Sequence, residues 1–148
     1  MDAEGIALRP ATATDDLDYV ERLLSENDLP TADVRNRPGE FYVARAWGDR
    51  VGVGGVEVHG SEGLLRSVVV EERVRGEGHG AALVRALEGR ATGEGVETLY
   101  LLTTTAARFF AGLGYETVER GDVPESIRST TEFAELCPDS ATVQRTSL

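Results

Sequence analysis

The sequence predicts a single-domain α/β (α+β) protein over residues 1–148, with a mixed central sheet of about six to seven strands and helices on both faces. Three observations carry this. The run LLRSVVV (Leu64 to Val70) is apolar and β-branched, and beyond a glycine-rich stretch Leu83, Val84, Leu87 and Ala91 recur at helical spacing, giving strand, glycine loop, helix. Phe41–Ala46 and Val51–Val58 flank Trp47-Gly48-Asp49-Arg50 and read as a hairpin with Gly-Asp supplying the turn. Thr98–Leu102, then an apolar face of Phe109, Phe110 and Leu113, then Tyr115–Val118 read as strand, helix, strand, the two strands forming a parallel pair.

The remaining elements follow in order. Ile6 to Arg9 is a short apolar start, and Thr14 is the expected N-cap of a helix marked by Leu17, Val20, Leu23 and Leu24. Asn27, Asp28, Leu29 and Pro30 end it, and a loop with one short helical turn runs through Val34. Gly60-Ser61-Glu62-Gly63 turns the chain into the central strand, so three antiparallel strands precede the helix from Gly80 to Ala91. Gly93-Glu94-Gly95 closes that helix; a second begins at Ala106 and stops at Gly114. The tail holds a helix start at Val123-Pro124, a segment through Leu136 and a last strand from Ala141 to Thr146.

Composition excludes several functions. Acids outnumber bases 26 to 15, a net charge of −11, and phosphate neutralisation needs the opposite, so no nucleic-acid binding is expected. There is no apolar run long enough to span a membrane and no signal-peptide pattern in MDAEGIALRP, so the expected location is cytoplasmic and off the membrane. Cys137 is the only cysteine, which excludes an intramolecular disulfide; it reads as a small half-buried side chain, and no metal site is expected. Every basic residue is arginine, and acid excess without lysine reads as halophilic adaptation, where salt screens self-repulsion. An anionic ligand would then rely on local charge, for which Arg66, Arg73 and Arg75 are the candidates.

The glycine loop offers such a ligand a backbone site. Gly76, Gly78 and Gly80 lack the Cβ that would hold a ligand off, the following helix leaves its first N–H groups unpaired, and its dipole favours an anion there. A dinucleotide fingerprint needs other glycine spacing, and a Walker loop needs a lysine that this chain lacks.

Arg75-Gly76-Glu77-Gly78-His79-Gly80 resembles the Arg/Gln-x-x-Gly-x-Gly/Ala signature of the Gcn5-related N-acetyltransferases (GNATs), and Ala107-Arg108-Phe109-Phe110-Ala111-Gly112-Leu113-Gly114-Tyr115 is similar to the A-x-x-F-Y-x-x-x-G-F segment that closes their cofactor site. More narrowly, LYLLTTTAARFFAGLGY with the tail VPESIRSTTEFAELCPDSATV resembles arsenic-resistance-associated N-acetyltransferases and, more distantly, the acetyltransferase domain of N-acetylglutamate synthases. The resemblance implies acetyl-coenzyme A as co-substrate and a small-molecule amine as acceptor, an amino acid or a compound like one. The other function class is a non-catalytic module that binds acyl-coenzyme A as sensor or scaffold.

The same resemblance assigns residues. The loop from Arg75 through Glu77 and His79 to Ala81 holds the pyrophosphate, and the amides of Val68, Val69 and Val70 face pantetheine and thioester where the central strand splays from the next parallel one. Thr103, Thr105, Phe109 and Phe110 complete the cofactor side. Leu29, in the region that walls the acceptor site, Arg66 and Ser140 belong to the acceptor side. Ser140 reads equally as a turn residue, and Arg66, costly in an apolar strand unless it meets an anion, reads also as half of an internal salt bridge. Glu57 and Glu62 are candidate bases that read otherwise as solvated surface carboxylates, and His59 is a solvent-facing histidine or a base. Phe110 stands where the family usually has the tyrosine that protonates the leaving thiolate. A homodimer through the exposed sheet edge or the C-terminal strand is allowed.

Overall fold

The computed structural model describes residues 5–32, 34–35, 39–130, 133 and 140–148; Cys137 and the expected segment through Leu136 lie outside these. In chain order the elements are β1 (Ile6–Pro10), α1 (Thr14–Glu26), β2 (Phe41–Ala46), β3 (Asp49–His59), β4 (Glu62–Val70), α2 (His79–Gly93), β5 (Thr98–Thr103), α3 (Ala107–Gly112), β6 (Glu116–Thr117), α4 (Glu125–Arg128) and β7 (Thr142–Ser147), with 3-10 turns at Glu72–Val74 and Arg120–Asp122.

The strands form one mixed seven-stranded sheet in the order β1-β2-β3-β4-β5-β7-β6, the α/β class expected. Its parallel pair is β4 with β5, with Glu62–Leu64 opposite Thr98–Tyr100. The expected direct pairing of β5 with the strand after α3 is corrected: β7 lies between β5 and β6 and is antiparallel to both. β7 is therefore paired on both sides and offers no edge to a second copy; the edges are β1 and β6.

Close contacts divide the chain into two compact units, Met1–Val56 with Ser67–Arg90, and Glu57–Arg66 with Ala91–Leu148. In the first unit Leu17, Val20, Leu23 and Leu24 of α1 share a core with Phe41, Val43, Val53 and Val69. Thr14 is the first helical residue, and Ala13 occupies the cap position without a side-chain bond. The helix start relies instead on Asp15 and Asp16 facing its positive end. Asp16, 3% exposed, accepts hydrogen bonds from Arg9 and Arg50, both at 2.9 Å. Burial pushes its carboxyl up, but the bonds and charges of the two guanidinium groups outweigh that and hold it below the ordinary aspartate range. α2 packs against Gly54, where a Cβ would fall 2.5 Å from Leu87 Cδ1.

The second unit has its own core of Leu64, Tyr100, Val123, Ile127 and Val143. It also buries a charge pair. Glu57 is fully buried and accepts a 2.8 Å bond from Arg66 Nη1, whose side chain is 1% exposed. Glu57 is thus not a solvated carboxylate, and of the two readings of Arg66 the internal salt bridge is the one present.

Two stability measurements check these pairs. The Asp16 carboxyl, held below its unfolded value, contributes stability that is present above about pH 4, the unfolded range, and lost as pH falls through the folded value. Asp16→Asn should cost roughly 1.5–3 kcal/mol at neutral pH and flatten the acid limb of stability against pH, read by denaturant unfolding; an acid limb as steep as wild type would contradict the network. Arg66→Met should cost about 3–5 kcal/mol, with much of that recovered when Glu57→Leu is added, because a buried pair replaced whole costs less than one broken. Intact stability with a raised KM for amines would restore the acceptor reading of Arg66.

Candidate functional site

The site begins in β4. Ser67 has φ +58 in the middle of the strand, a left-handed conformation that an L-residue adopts at a cost of about 1–3 kcal/mol and that interrupts the regular pleat. Gly63 to Arg66 are buried, but from Ser67 onward only Val69 is, while Val68 and Val70 are half-buried. An uninterrupted run of β-branched residues such as Val68 to Val70 reads as a strand covered on both faces, and that reading is corrected for this end. β3 meets it closely: a Cβ on Gly52 would stand 2.5 Å from the Val69 carbonyl oxygen.

Glu71 continues from β4, its N–H bonded to the Val51 carbonyl at 2.8 Å. Its carboxylate accepts a 2.5 Å bond from the Tyr19 hydroxyl and lies 3.4 Å from Arg73 Nε. Burial, then the bond to Glu71, push the Tyr19 hydroxyl above the ordinary tyrosine range, so it stays a donor at every physiological pH. Arg50 lies over the Tyr19 ring at 5.0 Å, and Arg73 Nη2 donates to the Arg50 carbonyl at 2.7 Å. α1, β3 and the approach to the loop are bound together by this network.

The loop itself carries Gly76 at φ +86 and Gly78 at φ +87, a region that favours glycine. No atom lies within 4 Å of where a Cβ on either would stand, so the space a side chain would fill is open. The helical ladder opens with the Ala82 N–H bonded to the Gly78 carbonyl at 3.2 Å, which leaves the preceding amides of Gly78 to Ala81 ahead of it. Arg75 is exposed at the rim, its guanidinium held by the Val70 carbonyl at 2.9 Å and Asn27 Oδ1 at 2.8 Å. His79 is 8% exposed, so toward this loop it offers its backbone more than its ring. A cradle open at two glycines, rimmed by a guanidinium and backed by a helix of fifteen residues fits a pyrophosphate.

Other expected site residues fall differently. Arg66 gives its charge to Glu57. Leu29 packs against the first unit's core, and Ser140 is an exposed turn residue ahead of β7. Thr103 Oγ1 accepts the Ala106 N–H at 2.9 Å and so fixes the turn that leads into α3, while Thr105 is exposed. Phe110 is 8% exposed, edge-on to Phe109 at 5.1 Å and to Tyr115 at 5.6 Å, whereas Phe109 is 42% exposed. Glu62 accepts a 3.0 Å bond from Ser126 Oγ. His59 Nε2 lies 3.3 Å from Glu57 Oε1 with its side chain 29% exposed, a pairing beyond the solvent-facing reading. Sequence reasoning assigned no site role to Ser67 or to Trp47 of the β2–β3 turn; a polar residue within a β-branched run was the only local signal at the first. Among the described residues no group of three or more His, Cys, Asp or Glu gathers as metal ligands, and no helix is long and apolar enough to cross a membrane.

Known structures share this architecture. N-acetylglutamate synthase from Neisseria gonorrhoeae, complexed with coenzyme A and L-arginine, superposes at a TM-score of 0.81 with 20% identity over 97% of this chain and 33% of that one. Its complex with coenzyme A and N-acetyl-glutamate gives 0.79 at 20% identity, over 97% and 35%. The chain thus spans about a third of the synthase's length. Rv2747 from Mycobacterium tuberculosis, crystallised in complex with CoA and NLQ, gives 0.78 at 23% identity over 96% of this chain and 99% of that one. At these identities the likeness is one of fold. The family model described as "Acetyltransferase (GNAT) domain" matches residues 37–117, a span that contains both the Ser67 irregularity and the glycine cradle and makes up more than half of the sequence; the chain belongs to the GNAT acetyltransferase family.

Proposed function

We propose that this GNAT-family chain is an acyltransferase that moves the acetyl group of acetyl-coenzyme A to the amine of a small molecule, an amino acid or a compound like one, by direct attack in a ternary complex. The observation that carries the reading is the open cradle at Gly76 and Gly78, directly before α2 and a short turn after the end of a strand interrupted at Ser67. Support for the acceptor class comes from the tail's resemblance to arsenic-resistance-associated N-acetyltransferases and from the fold shared with a synthase crystallised with N-acetyl-glutamate.

Acetyl-coenzyme A, when bound, supplies an activated thioester. The chain's own part is positional. Amides from Gly76 to Ala81 and the Arg75 guanidinium hold the pyrophosphate, and the amides of Val68 to Val70 lie along pantetheine and donate to the carbonyl oxygen as it gains charge. Holding amine and thioester together is worth up to about 7–11 kcal/mol. The attacking amine must be neutral, so its proton passes to a base. At the leaving sulfur no tyrosine is needed, since a thiol, with an ordinary pKa of about 8.5, leaves far more readily than an alcohol.

Two assays test this. Thiol release from acetyl-coenzyme A with a panel of amino acids should show turnover of order 1 to 10³ per second for one or more of them, and Phe110→Tyr should change it by less than the roughly 10²-fold that a limiting acid would give. Binding without release for every amine tried would favour the sensor or scaffold module. In calorimetry Gly78→Val should abolish acetyl-coenzyme A affinity, with Gly89→Val, on the same helix away from the cradle, as the control for fold; unchanged affinity in folded Gly78→Val would remove the cradle.

A further inference from the structure

The β2–β3 connection is not the Gly-Asp turn that the sequence suggests. β2 ends at Ala46 and β3 begins at Asp49, so the turn is the pair Trp47-Gly48, at φ +51 and +84. Two left-handed residues make the hairpin turn whose twist matches the strands, and Asn or Gly is the usual first residue. Here it is tryptophan, at a position where a bulky residue is an outlier. The turn is braced: Arg45 Nη1 donates to the Gly48 carbonyl at 2.9 Å. Trp47 is 89% exposed, which leaves both faces of the indole largely open. One contact fixes its place, an edge-on approach to the His79 ring at 6.2 Å between centroids and 75° between planes.

His79 is the residue immediately after Gly78 and the first of α2. The exposed indole therefore stands beside the side chain of the residue that follows Gly78, within the same compact unit. A backbone anion site recognises charge and little else, while an aromatic face recognises a planar base with little regard to its hydrogen bonding. Resting on the cradle reading above, we propose that Trp47 is the stacking platform for the adenine ring of the coenzyme A whose pyrophosphate the loop holds. The base is then recognised through its π-face by a residue of the β2–β3 turn and the phosphates through backbone amides, with Arg73 tied to the same hairpin through the Arg50 carbonyl.

Trp47 is the only tryptophan in the chain, so intrinsic fluorescence reports on it alone. Coenzyme A and adenosine 3′,5′-bisphosphate should quench that fluorescence, and 4′-phosphopantetheine, which lacks the base, should not. Trp47→Asn keeps the fold testable, because asparagine before glycine is the residue this turn prefers. In calorimetry that variant should lose roughly tenfold to hundredfold in coenzyme A affinity while binding 4′-phosphopantetheine as wild type does. Equal coenzyme A affinity in wild type and Trp47→Asn overturns the proposal and leaves the cradle standing. An equal loss for both ligands makes Trp47 a structural support and overturns it too. Failure of wild type to bind either ligand removes the cradle, and the stacking platform falls with it; Gly78→Val separates that case, since it should abolish binding of both ligands where Trp47→Asn weakens only one.

Discussion

The left-handed backbone of Ser67 is the constraint on which the site depends. A strand that kept its pleat from Glu62 to Val70 would present the same alternation at both ends; the break at φ +58 lets Gly63 to Arg66 be buried while Val68 and Val70 remain half-buried. The chain also passes from one compact unit to the other between Arg66 and Ser67. Such a conformation persists only where its surroundings over-determine it. Here Gly52 allows β3 to approach the Val69 carbonyl, and Glu71, just past the strand, is held by Val51, Tyr19 and Arg73.

Charge in this acidic chain is handled locally. Asp16, Arg50, Tyr19, Glu71 and Arg73 form a run of contacts in the first unit that joins the start of α1 to the approach of the cradle. Each acid on this path has a guanidinium or hydroxyl partner, so its charge is compensated within the network. Among the described residues Arg75 is held by a carbonyl and an amide oxygen, neutral groups that leave its charge in place toward a phosphate. Exposed arginines elsewhere, such as Arg22 and Arg128 in pairs with helical neighbours, add little to stability.

Much of this was legible where the signal is local. The β-branched run, the glycine spacing and the periodicity of Leu83, Val84 and Leu87 gave strand, glycine loop and helix in the right places, because each rests on the conformational preference of a few adjacent residues. Partnerships between distant residues were not legible. Nothing in Thr142–Ser147 announces that it inserts between β5 and β6, and nothing in Val56-Glu57-Val58 tells that this carboxylate is buried against Arg66 nine residues on. At Trp47 the local rule misled: preference points to Gly-Asp, and the chain turns one residue earlier, on a tryptophan. Ser67 shows the same limit, since serine is at most a permissive residue for the conformation it adopts.

The central claim is that the backbone, at Val68 to Val70 and Gly76 to Ala81, holds the acyl donor. Amide hydrogen exchange followed by NMR, with and without saturating acetyl-coenzyme A, addresses those N–H groups directly. Slowed exchange at these amides, with those of β1 unchanged, is the predicted result. Acetyl-coenzyme A that binds, yet leaves the exchange of both segments as it was, would contradict it.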